Sequence, residues 1–164
     1  MTTDDFADVL AANEAYAAEL PVSDLKARAA RGLAVLTCMD SRIEPLAMLG
    51  LVPGDAKILR NAGARVTDDV LRTLVLADYL LGVERVMVVA HTGCRMGMPE
   101  ADIHAAILAA GGPDTRSITF LTSQDQESVL RDDVQRVRSW PYLGNIAVGG
   151  FLYDLDTGRL QQVC

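Results

Sequence analysis

The chain has 164 residues, half of them apolar and 23% charged, which suits one folded unit of ordinary domain size and excludes a disordered segment. Fifteen Lys and Arg stand against 22 Asp and Glu, and the formal net charge of −7 repels phosphate backbones and anionic membranes, so neither nucleic acid nor a membrane is expected as a partner. The acidic start carries no secretory leader, Leu74 to Ala90 is too interrupted by charge to span a bilayer, and three cysteines make no disulfide framework, so a soluble cytoplasmic protein is expected.

Asp4 to Leu20 carries Phe6, Val9, Leu10, Tyr16 and Leu20 among alanines, a helical pattern that Pro21 ends. A second helix is predicted from about Ser23 to Arg31, with Ser23 as N-cap and Gly32 past its end. Both precede the first strand and are placed to pack on a partner subunit.

Leu33 to Thr37 reads as a buried parallel strand and leads into Cys38-Met39-Asp40-Ser41-Arg42. Lys57 to Arg60 is a second, shorter strand, followed by Asn61-Ala62-Gly63. Thr67 then caps a helix with Asp68 and Asp69 in its positive first turn, a stripe of Val70, Leu71, Leu74, Val75, Tyr79 and Leu80, and Gly82 as its stop.

Arg85 to Ala90 is a third strand and ends at His91-Thr92-Gly93-Cys94. A helix follows from about Glu100 to Ala110, and an amphipathic one from about Asp125 to Arg138. Ser117 to Thr122 between them is β-like in composition yet runs straight into the second of these helices, so its state stays open. Asp132 and Asp133, with Arg131, Arg136 and Arg138, read as the solvated face of that helix. Ile146 to Tyr153 and Arg159 to Val163 flank the turn residues Asp154 to Gly158 as a hairpin. Cys164 reads as a free thiol on a frayed end. The alternation implies an α/β fold, a mostly parallel sheet flanked by helices with an added antiparallel C-terminal strand.

Two strands end in thiol or imidazole residues, Cys38 after the first and His91 with Cys94 after the third, and open α/β sheets place their sites at such carboxyl ends. Two cysteines and a histidine suit zinc, and three protein ligands leave a position open for chemistry. By spacing alone, buried core cysteines are an equally good reading. Asp40 and Arg42 tip the balance, because they stand two and four residues past Cys38 on one side of an extended segment. A chance surface ion pair has no reason to follow a buried strand. No dinucleotide or nucleotide-phosphate fingerprint is present.

Cys38-x-Asp40-x-Arg42, Arg60-Asn61-Ala62-Gly63 and His91-Thr92-x-Cys94 resemble, in order and rough spacing, the motifs of the β-class carbonic anhydrases, above all the compact bacterial type. The resemblance implies one zinc ion per subunit on Cys38, His91 and Cys94, a catalytic dyad of Asp40 and Arg42, and Asn61, Ala62 and Gly63 lining the substrate pocket. It also implies a four-stranded parallel core with a fifth antiparallel strand in a single domain over 1–164. Helices within 4–31 would clasp a second copy in a homodimer or a dimer of dimers.

The implied reaction is reversible hydration of carbon dioxide to bicarbonate and a proton, with zinc acidifying a water whose hydroxide attacks the carbon. The same ligand set also serves hydrolysis of carbonyl sulfide or carbon disulfide. A non-catalytic zinc protein closed by Asp40 is a third reading. Family members commonly have Gly after the second cysteine where this chain has Arg95. Those with a non-catalytic bicarbonate site carry Trp where this chain has Val35, so that site is not expected. His104, in an alanine-rich helix, reads as a packing residue rather than a proton shuttle.

Overall fold

The computed structural model describes residues 5–20 and 24–164. Helix α1 (Ala7–Glu19) is followed by strand β1 (Leu33–Cys38), a one-turn helix α2 (Pro45–Met48) and strand β2 (Ala56–Asn61). Then come helix α3 (Asp68–Leu81), strand β3 (Arg85–His91), helices α4 (Glu100–Ala109) and α5 (Gln126–Arg138), and strands β4 (Ala147–Tyr153) and β5 (Leu160–Gln162). The sheet order is β2-β1-β3-β4-β5, with all pairings parallel except β4 with β5. This is the expected parallel sheet with an antiparallel edge.

Every residue of β1 is buried, because the strand is central and covered on both faces. Ala34 and Leu36 face the larger core, where α3 contributes Val70, Leu71, Leu74 and Ala77, and α5 contributes Leu130, Val134 and Val137. Leu33 and Val35 face a smaller cluster with Val89. The chain runs from β1 out to β2 on one side and returns to β3 on the other. The carboxyl ends of β1 and β3 therefore form the switch point at which open α/β sheets build their sites.

Thr67 caps α3, its hydroxyl accepting from the Val70 amide, and Gly82 ends it at φ 69°, as the sequence indicated. The buried stripe differs from the expected one. Tyr79 and Leu80 are exposed, and Ala77 takes the inward place one turn after Leu74.

Three expectations are corrected, and the segment left open takes a definite form. Residues 24–31 form no helix, since the amides of Ala29, Ala30 and Arg31 donate to the carbonyls of Leu81, Gly54 and Asp55, and these tertiary bonds override alanine's helix propensity. Ser23 and Pro21 lie outside the described residues. Residues 117–122 form no strand, because the amides of Phe120 and Thr122 donate to Glu100, and Leu121 adopts φ 60°. Asp133 is buried, not solvated: with Leu130, Val134 and Val137 it lies on the inward stripe of α5. Cys164 is not frayed, for its carbonyl accepts from the Gly150 amide and its side chain packs on the larger core.

Candidate metal centre

β1 and β3 are adjacent and in register from Leu33 with Arg85 to Thr37 with Val89, so Cys38 and His91 leave the sheet side by side. Cys94 joins them through the turn at Gly93, whose φ of 62° suits glycine. The donor atoms of Cys38, His91 and Cys94 lie within 4.8 Å of one another. The two sulfurs are 3.9 Å apart. Two thiolates each about 2.3 Å from a tetrahedral ion would stand about 3.8 Å apart, so the spacing fits zinc.

His91 is 1% exposed, and its Nδ1 lies 2.8 Å from the Thr92 carbonyl oxygen. A carbonyl only accepts, so Nδ1 carries the proton and Nε2 presents its lone pair. Nε2 is buried with no hydrogen-bond partner, the sole such side-chain N or O among the described residues. Such an orphan is costly unless something binds it. Burial pushes the Cys94 thiol up to about 11, with the neighbouring Cys38 sulfur adding to the shift. A cation between the sulfurs offsets that cost of ionisation.

Asp40 stands at the edge of this cluster, its Oδ2 4.0 Å from His91 Nε2. Arg42 grips it as a fork, Nε donating to Oδ1 at 2.9 Å and Nη2 to Oδ2 at 2.7 Å, while the Arg42 amide donates to Oδ1 at 3.0 Å. Arg42 also reaches the Gly93 carbonyl at 3.3 Å, tying together the two loops that carry Asp40 and Cys94.

Among the three residues expected to line the pocket, Gly63 borders a cavity of about 30 Å³ beside His91 and Cys94, and its amide donates to the Cys38 sulfur at 3.4 Å. Asn61 instead braces the turn, accepting from the Arg65 amide at 2.8 Å and donating to its carbonyl at 2.7 Å. Ala62 is half-buried within that turn. Arg95 is exposed and free of left-handed strain, so a side chain fits after Cys94. His104 bonds Thr115 at 2.9 Å and packs on Phe120, and it does not border the cavity.

Sequence reasoning passed over three contributors. Arg60 donates to the carbonyls of Cys38 at 3.0 Å and Asp40 at 2.6 Å, fixing the backbone that carries both. Leu121, from the undecided segment, forms one cavity wall, and Asp133 another. The spacing of 130, 133, 134 and 137 was the signal that Asp133 faces inward.

Residues 33–106 match the carbonic anhydrase family model. The chain is 32% identical to beta-carbonic anhydrase 1 of Mycobacterium tuberculosis, with 99% of each chain covered. It superposes on the crystal structure of carbonic anhydrase from Streptococcus mutans with a TM-score of 0.90, 36% identity and full coverage of both chains. It is also 28% identical to a carbon disulfide hydrolase of Acidithiobacillus thiooxidans, over 80% of this chain and 76% of that protein. On this evidence the chain belongs to the β-class carbonic anhydrase family.

Proposed function

We propose that this protein hydrates carbon dioxide reversibly to bicarbonate and a proton, using one zinc ion per subunit held by Cys38, His91 and Cys94. The observation that carries the reading is the orphaned Nε2 of His91 beside two sulfurs 3.9 Å apart, with an arginine-held carboxylate 4.0 Å away. Zinc bound there supplies a Lewis acid that makes water a nucleophile near neutral pH.

The chain's own residues do the rest. Asp40 keeps its negative charge because the Arg42 guanidinium holds its carboxyl well below the usual carboxylate range. It is therefore an acceptor only, and it orients the attacking water by taking a hydrogen bond from it. Arg42 fixes Asp40, and Arg60 fixes the strand end beneath. Gly63, Ala64, Ala90 and Leu121 give the adjoining cavity apolar walls suited to an uncharged gas. The grip of Arg42 on both Asp40 oxygens favours an open site over one closed by Asp40.

Hydrolysis of carbonyl sulfide or carbon disulfide is the second reading, supported by the carbon disulfide hydrolase relative. The cavity favours the first: at about 30 Å³, two to three times the roughly 10–15 Å³ that a single water needs, it suits the smallest of the three substrates. Stopped-flow assays of zinc-loaded protein with carbon dioxide, carbonyl sulfide and carbon disulfide test the choice. The reading expects carbon dioxide to be preferred, and preference for a sulfur compound would reverse it.

The working unit is proposed to be a homodimer. No residue of α1 is buried, and Val9, Leu10 and Tyr16 are each more than half exposed. A helix of 13 residues is marginal alone in water. A second copy covering α1 and the exposed Leu76, Tyr79 and Leu80 of α3 would bury both apolar faces.

A further inference from the structure

Asp133 and Arg65 form an ion pair, Nε to Oδ2 at 2.7 Å, with side chains only 7% and 19% exposed. Both border the cavity beside His91 and Cys94. A buried pair of this kind is weak evidence for stability, because desolvation consumes most of the Coulombic gain. Its placement is more informative.

Arg65 has a second partner. Its Nη1 donates to the Leu121 carbonyl at 2.6 Å, and Leu121 holds φ 60°, a left-handed conformation that a residue with a Cβ rarely adopts. The next residues are tied by Thr122 to Glu100 and by the Ser123 amide to the Met96 carbonyl at 2.9 Å. The Arg65 backbone is itself pinned by Asn61 at both its amide and its carbonyl. The guanidinium therefore stands fixed between α5 and an irregular segment, and it holds Leu121 as a wall.

We infer that Arg65, anchored by Asp133, is a specificity-determining positioning residue that keeps Leu121 against the cavity and so restricts it to carbon dioxide over its bulkier sulfur analogues. The inference rests on the hydration reading given above. Sulfur exceeds oxygen in radius, and a cavity of about 30 Å³ leaves it less room than it leaves oxygen, so the position of each wall bears on which substrate fits. Released from Arg65, Leu121 relaxes out of the left-handed region and the wall moves.

The test compares wild type, Arg65→Lys, Asp133→Asn and Leu121→Gly, all zinc-loaded. It measures kcat/KM for carbon dioxide and carbonyl sulfide, zinc content, and amide exchange at Ser123. Lysine keeps a charge opposite Asp133 but has no planar fork to reach Leu121 as well. The expected result in Arg65→Lys is a carbonyl sulfide to carbon dioxide ratio raised about tenfold, the size of a small change in pocket fit. The carbon dioxide loss should appear in KM rather than kcat, with zinc content intact and Ser123 exchanging faster. Asp133→Asn should move the same way, and it carries the test if the lysine variant does not fold. Leu121→Gly should raise the ratio by removing the wall itself. A ratio within about twofold of wild type in zinc-replete Arg65→Lys and Asp133→Asn overturns the inference, even if Leu121→Gly shifts it. A zinc-loaded wild type that does not hydrate carbon dioxide overturns the function beneath it, and that is seen before any variant is made.

Discussion

The Asp40 carboxylate is held by the Arg42 guanidinium at both oxygens, at 2.9 and 2.7 Å, while the same Oδ2 lies 4.0 Å from the unpartnered Nε2 of His91. One charged acceptor is thus kept ionised, oriented and close to the cluster of Cys38, His91 and Cys94 without joining it.

Asp40→Asn replaces that acceptor with a group that can also donate, at nearly constant shape. Carbon dioxide hydration should fall about a hundredfold or more, as for loss of a positioned polar group at a reacting centre. Zinc content should stay at the wild-type value, because Asp40 is not a ligand in this arrangement. Stopped-flow rates with parallel metal analysis give the answer.

Arg42→Lys keeps the charge but loses the two-point grip and the reach to Gly93. Hydration should drop about tenfold, less than for Asp40→Asn, since the carboxylate stays present but loosely aimed. Equal losses in the two variants would mean that Arg42 does more than hold Asp40.

Glu100 ties down residues 120–122, accepting from the amides of Phe120 and Thr122. These bonds lower its pKa from 4.5. A lowered folded-state pKa contributes stability above the unfolded value, and that contribution is lost as pH falls through the folded one. Glu100→Gln should therefore be less stable than wild type at pH 7, with the difference shrinking below about pH 4.5. Urea melts at several pH values measure it.

Gly150 lies in β4 where an added Cβ would stand 2.7 Å from the Cys164 sulfur and 3.0 Å from side-chain carbons of Leu130 and Val134. Gly150→Ala should cost about 1–3 kcal/mol through overpacking. Truncating Cys164 to Ala in the same chain should recover part of it, because one of the three clashes goes. Thermal melts of the single and double variants test this.

Removal of residues 1–23 takes away α1 and should turn a dimer into a monomer in analytical ultracentrifugation. A truncated chain that still sediments at twice its own subunit mass would place the subunit contact elsewhere.

Much of the fold was legible because its signals are local. β1 and β3 are short apolar runs, and α3 announces both ends with Thr67 and Gly82. The cluster was legible because Cys38 and the His91–Cys94 pair sit at strand ends, where the switch point brings them together. What stayed hidden depends on tertiary partners. Residues 24–31 are not helical because distant carbonyls capture their amides, and 117–122 are not a strand because Glu100 and Arg65 take the bonds a neighbour would need. Asp133 was misplaced because its charge outweighed its spacing: only the fold shows Arg65 opposite it.

The most direct test of the central claim couples metal to rate: strip the protein with a chelator, titrate zinc back, and follow carbon dioxide hydration by stopped flow. The account predicts that activity is lost on stripping, returns in proportion to zinc and saturates at one ion per subunit, with Cys38→Ser failing to recover. Full zinc occupancy with no hydration above buffer, or hydration that persists without metal, would contradict it.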